Sequence, residues 1–194
     1  MGQGTLAERR RRQTQLEIAK AALGLFVLHG YGRVSVEAIA DEAGMSMRSF
    51  YRYCPSKDEV LSPILRDGAV QLVERLAGRP LDESLATAVQ RAYAKVIEED
   101  GPGNISPFMR LIVQVPVLRA HWLNDLHSVE EALVPVLRVR GQQGLTERDA
   151  RLGAAAVVAA LRVTLEEAGR AGTPHLLSEQ FARNLGYLRD GAGL

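Results

Sequence analysis

The stretch from residue 35 to residue 53, Ser-Val-Glu-Ala-Ile-Ala-Asp-Glu-Ala-Gly-Met-Ser-Met-Arg-Ser-Phe-Tyr-Arg-Tyr, constrains this chain more than any other. Ser35 suits the N-cap of a helix, and Val36, Ile39, Ala40 and Ala43 recur at the three- and four-residue spacings of one apolar helical face. Gly44 follows where the chain must turn through a left-handed conformation that only glycine adopts without steric strain. Ser46 then caps a second short helix, residues 47 to 53, and Ala40 is small where that helix must cross closely. Two short helices joined this way form a helix-turn-helix, a unit that places its second helix in the major groove of DNA.

The 100° rotation per residue orients the second helix. With Phe50 inward, Met47 and Tyr53 flank it at the edges of the buried face. Arg48 and Arg52, four residues apart, then lie opposite, with Ser49 and Tyr51 at the sides. Arginine can donate two hydrogen bonds to guanine O6 and N7, while tyrosine and serine suit phosphate oxygens.

Charge supports this reading. Residues 1 to 57 hold nine Lys and Arg against five Asp and Glu, a net of +4, and the remainder holds fifteen against eighteen, a net of −3. A basic first quarter on an acidic body is the pattern of a DNA-binding head on a body that does not bind DNA. The chain has 194 residues, is 46% hydrophobic and contains no apolar run of eighteen or more, so it can build a core and is expected to lack a membrane span. The start around Arg9 to Arg12 has no signal-peptide pattern. Cys54 is the only cysteine, which rules out an internal disulfide and fits a reducing compartment. The expected location is the cytoplasm.

In chain order, residues 1 to about 12 read as a disordered basic start, in which Arg9 to Arg12 form either a flexible arm or the first turn of a helix. Leu16, Ala19, Leu23, Phe26 and Val27 then make an apolar helical stripe from about 14 to 29, ended by Gly30 and Gly32. This helix covers the helix-turn-helix, giving three helices around Leu23, Phe26, Val34, Ile39, Ala43 and Phe50. Ser56 and Glu59 read as a capping box for a further helix reaching Gly78. Lys57 would stand at its N-terminus, where the helix dipole disfavours a cation unless a phosphate faces it. Pro63 would lie in its second turn and bend it. Amphipathic patterns place more helices at 82–99, 104–114, from 116 onward with a kink at Pro135, at 147 to about 171 after a loop at 141–144, and at 178 to about 190. No strand pattern appears, so the expected fold is all-α.

The residues Phe26, His29-Gly30-Tyr31, Val36, Ile39-Ala40, Ala43-Gly44, Ser46, Phe50-Tyr51, Tyr53 and Pro55-Ser56-Lys57 together resemble the DNA-binding head of the TetR family of bacterial transcriptional regulators. The likeness is strong over residues 14 to 61. It implies a DNA-binding domain at 1–55 and an effector-binding and dimerisation domain at 56–194. It further implies phosphate contacts from Ser35, Tyr51, Tyr53 and Lys57, and base or groove contacts from Met47, Arg48, Ser49 and Arg52. Cys54 departs from the family, which usually has Phe there. It reads as a small buried hydrophobe, with a redox sensor as the alternative.

Two features of the body bear on function. Residues 152 to 161, Leu-Gly-Ala-Ala-Ala-Val-Val-Ala-Ala-Leu, are apolar all round, so more than one face needs a cover. Phe181, Leu185 and Leu188 repeat at i, i+4 and i+7 in the last helix. These helices either form core or, as the resemblance implies, pack across a two-fold axis, with Leu152, Ala156, Ala159, Val163, Phe181, Leu185 and Leu188 at the interface. A symmetric dimer would read a palindrome with two recognition helices a whole number of DNA turns apart. The middle helices place Tyr93, Phe108, Met109, Gln114, Trp122 and Leu126 among aliphatic residues, a composition suited either to plain core or to a small-molecule effector pocket.

No catalytic constellation is present. His29, His121, His127 and His175 are scattered, His121 and His127 stand six apart rather than at metal-ligand spacing, and there is neither a Gly-rich phosphate loop nor a nucleophile motif. No metal or cofactor is expected. The expected function is a homodimeric repressor released from double-stranded DNA at a palindromic operator by a small molecule. An architectural DNA-binding protein without a ligand is the alternative, and a helical enzyme lacks a site.

Overall fold

The computed structural model describes residues 5 to 100, 102 to 141 and 145 to 189. The disorder expected for residues 1 to 4, the break at Gly101, most of the 141–144 loop and the end of the last helix at 190 lie outside the described residues. Within them every regular element is helical and no strand occurs, as an all-α fold requires.

Helix α1 spans Leu6–His29, so the basic run is helical rather than disordered to residue 12. The reason is a capping box: the Thr5 hydroxyl accepts from the Glu8 amide at 3.2 Å while the Thr5 amide donates to the Glu8 carboxylate at 2.7 Å. Ile18, Ala19, Ala22 and Phe26 face the head core, a stripe rotated from the expected one. Leu16 and Leu23 are only half-buried and Val27 is 50% exposed, because this second side of α1 borders a cleft toward the body.

After a 3₁₀ turn at Tyr31–Arg33 come α2, Val36–Glu42, and α3, Met47–Tyr53. Both serine caps form: the Ser35 side chain accepts from the Ala38 amide and that of Ser46 from the Ser49 amide, each at 3.2 Å. Gly44 has φ +65°, and the Met45 amide reaches back to the Ala40 carbonyl at 2.9 Å, closing α2 with a left-handed turn.

The body begins with α4, Ser62–Ala77, later in the chain than expected. Ser56 meets the Glu59 carboxylate at 3.2 Å instead of capping a helix, and residues 57 to 61 form turns. Pro63 therefore falls in the first turn of α4, where its missing N–H is no loss, and it starts the helix instead of bending it. The remaining helices are α5 Leu85–Asp100, α6 Pro102–Gln114, α7 Pro116–Arg140, α8 Glu147–Ala171 and α9 Leu177–Arg189. Helix α8 packs on α6, α7 and α9, and α1 rests on α4 and α6. Gly169 lets α8 approach α6: a Cβ there would lie 2.8 Å from the Met109 carbonyl oxygen. Buried Arg140 donates to the carbonyls of Leu76 (3.2 Å), Arg79 (2.8 Å) and Pro80 (2.7 Å), tying the end of α4 to α7. Among the described residues no helix is long and apolar enough to cross a membrane.

Candidate nucleic-acid interface and ligand cavity

Helix α3 stands on Phe50, which is fully buried with Ile39, Ala40 and Phe26. Its opposite face carries exposed Arg48, Tyr51 and Arg52, with Met47, Ser49 and Tyr53 half-buried at the edges, as the rotation argument requires. Ser35 is exposed at the α2 cap. The two arginines are held differently. Arg52 lies over the Tyr53 ring, 4.9 Å from its centroid, and donates to the Tyr53 hydroxyl at 3.4 Å, whereas no described side chain partners Arg48. Arg48 is thus presented outward without restraint and Arg52 is oriented by its neighbour.

The basic run of α1 divides. Arg11 donates to the Arg52 carbonyl at 3.2 Å, and Gln15 donates to that of Tyr53 at 2.9 Å, so both hold the end of α3. Arg12 pairs with Asp67 on α4 at 2.5 Å. Arg9 and Arg10 stay exposed.

Lys57 is placed otherwise than expected. It does not begin a helix, and its ammonium donates to the carbonyls of Tyr31 (2.9 Å) and Val34 (3.0 Å) while lying over the Tyr31 ring. Two of its three donors thus serve the head's own loop rather than a phosphate. The Tyr31 hydroxyl donates to Asp58; burial first and that carboxylate second push the phenol well above its ordinary range. Cys54 is buried, its Sγ donating to the Ser56 carbonyl at 3.0 Å, and burial pushes its thiol up to about 11. That geometry suits a small core residue and gives no reactive thiolate.

In the body, a cavity of about 90 Å³ lies between α4, α5, α6 and α8. Tyr93, Phe108 and Met109 line it, together with Ile64, Gly68 and Leu165. Three other expected pocket residues stand elsewhere. Gln114, at the end of α6, is exposed; Leu126 is buried core; Trp122 lines a smaller recess beside the cavity. Ile64, Gly68 and Leu165 escaped the sequence reading because aliphatic helix positions carry no mark separating cavity lining from solid core.

The small-residue face of α8 is open. Leu152 is 61% exposed and Ala156, Ala159 and Val163 are half-buried, at spacings of four, three and four. On α9, Leu188 is exposed, but Phe181 is completely buried with its ring 4.3 Å from that of Tyr93, and Leu185 is buried too. Phe181 and Leu185 face α5 and α8 within the chain, so they are core and not interface.

Comparison with known proteins agrees with these features. The family of bacterial regulatory proteins described as the tetR family matches residues 18–63. The transcriptional regulator TcmR of Streptomyces glaucescens is 30% identical over 144 residues, covering 70% of this chain; the chain spans 63% of that relative's length. A TetR-family transcriptional regulator from Syntrophomonas wolfei shares the fold at a TM-score of 0.66 and 19% identity, over 95% of this chain and 97% of that one. Thermus thermophilus FadR, a TetR-family repressor in complex with lauroyl-CoA, aligns with a TM-score of 0.60 and 20% identity over 91% and 94%.

Proposed function

We propose that this chain, whose head matches the tetR family over residues 18–63 and whose all-helical body shares the fold of solved regulators, is a TetR-family homodimeric transcriptional regulator acting at a palindromic operator. The observation that carries the reading is α3: seated on Phe50, it offers Arg48, Tyr51 and Arg52 on one exposed face of the basic head. Arg48 and Arg52, with Met47 and Ser49, read base edges and groove. Ser35, Tyr51 and Tyr53 position the head on phosphates, and Lys57 acts by holding the head together.

The residues before about 55 form the DNA-binding domain and the rest the effector-binding and dimerisation domain. Two copies join through the open face of α8, around Leu152, Ala156, Ala159 and Val163, with Leu188 of α9 at its edge. A small molecule enters the cavity around Tyr93, Phe108 and Met109. The protein represses, and the ligand releases it by favouring a body conformation in which the two heads no longer match the half-site spacing; it does so only as far as it binds the two conformations differently. The named relatives are regulators, and the chain is no enzyme. The cavity in a separate body favours a ligand-responsive regulator over an architectural DNA-binding protein.

The test is equilibrium binding to the DNA beside the chain's own gene. An Arg48→Ala/Tyr51→Ala variant should bind at least tenfold more weakly there than the wild type, since a lost base contact is worth about 1–3 kcal/mol. Equal binding by the two proteins would overturn this use of α3.

A further inference from the structure

Beside the apolar cavity lies a recess of about 10 Å³, bordered by Ser62, Leu65, Phe108, His121, Trp122 and Asp125. Leu65 and Phe108 also line the cavity, so these two side chains alone are common to both walls. The recess differs from the cavity in chemistry. Trp122 is 2% exposed and Asp125 6%, and among the described residues neither the indole Nε1 nor the carboxylate Oδ2 has a hydrogen-bond partner. The other oxygen, Oδ1, receives only a long contact from Arg66 Nε on α4, at 3.4 Å. Leaving a buried donor and a buried acceptor unmatched is costly, and a space of this size holds one oxygen-sized group.

Trp122 and Asp125, which carry this unmatched donor and acceptor, both border the recess, with Ser62, His121 and Asp58 the other polar side chains in its wall. An ammonium could donate to Asp125 but would leave the indole N–H unmatched. A carboxylate could accept from the indole but would face the Asp125 carboxylate. A hydroxyl does both, accepting from Trp122 Nε1 and donating to Asp125 Oδ2. The apolar cavity next door suits the rest of such a molecule, and Tyr93, whose buried hydroxyl also has no partner among the described residues, stands in its lining.

We infer that the effector is a neutral, mainly apolar molecule bearing a hydroxyl, whose body fills the cavity and whose hydroxyl passes Phe108 into the recess between Trp122 and Asp125. This rests on the reading of the cavity as the effector site. Binding there also reaches the joint between head and body, because Asp58 and Ser62, on either side of the start of α4, border the same recess and Asp125 holds Arg66 of α4. A water molecule is the other occupant of matching chemistry, and the experiment separates the two.

Trp122 is the only tryptophan, so its fluorescence reports on the recess directly. The full chain is titrated with 1-hexanol, methyl pentyl ether, hexylamine and hexanoate, with affinities measured by calorimetry and Trp122 emission followed in parallel. The alcohol should bind about tenfold or more tightly than each of the others and shift the emission. Asp125→Leu, which removes the acceptor, and Trp122→Phe, which removes the donor and keeps a ring, should each bring the alcohol down to the ether's affinity while ether binding persists. If all four probes bind alike and the emission stays fixed, the recess keeps its water and the hydroxyl assignment falls, while the cavity remains a ligand site. If nothing binds either wild type or variants, the cavity reading falls and takes the assignment with it.

Discussion

The Lys57 ammonium lies 4.1 Å from the centre of the Tyr31 ring and donates to the carbonyl of that same residue. A second bond to the Val34 carbonyl ties the turn after α3 to the loop before α2. Lys57→Ala should lower the head's stability by about 1–3 kcal/mol through two charge-assisted bonds and the ring contact. It should leave the salt dependence of DNA binding unchanged, because a true phosphate contact would change the slope of log K against log salt by about one. Thermal unfolding and binding at several salt concentrations measure the two effects separately.

Leu152 and Phe181 give opposite outcomes although both belong to the apolar repeats of the last two long helices. Leu152→Glu should halve the mass measured by light scattering at micromolar concentration and leave the helical circular dichroism intact, since Leu152 is mostly exposed in the single chain. Phe181→Ala should lower stability by about 3–5 kcal/mol through an unfilled core, and the folded fraction should keep its dimeric mass.

Cys54 should resist iodoacetamide at pH 8 in the native protein and react promptly once unfolded. Its folded-state value, raised to about 11 by burial, lies above the ordinary 9.0. The stabilisation from keeping the thiol neutral is therefore complete below about pH 9 and lost as pH rises through 11. Cys54→Ser should reduce this alkaline loss in a pH series of unfolding curves.

Glu166 is 5% exposed and receives Arg119 of α7 at 2.8 Å, Arg170 at 3.2 Å and Arg162 at 3.4 Å. Burial pushes its carboxyl up, but the Arg119 bond and the three positive charges outweigh this and hold it below its ordinary 4.5. A lowered folded value means stability that is present above 4.5 and lost as pH falls below it. Glu166→Gln should lower stability by about 1–2 kcal/mol at pH 7 and flatten the acid limb of the unfolding curve.

The residues that the sequence placed well depend on near neighbours. Ser35 and Ser46 cap their helices because a short side chain reaches an amide three residues on, and Gly44 turns because it lacks a Cβ. The 100° rotation likewise put Phe50 inside and Arg48 and Arg52 outside. Ser56 shows the limit: its spacing to Glu59 matches a capping box, yet the local chain forms turns and α4 waits for Pro63.

By itself, then, the sequence determined that the described chain is all-helical, where most helices begin, and which face of α3 is exposed, because backbone geometry repeats over a few residues. Only the tertiary structure decided what long or apolar side chains meet. It turned Lys57 back onto Tyr31, drew Arg140 over the end of α4, closed Phe181 against Tyr93 and set Trp122 and Asp125 in the wall of the recess next to the cavity. Periodicity separates inside from outside on one helix, but the partner across the gap is chosen by how whole helices pack, and no local spacing encodes that.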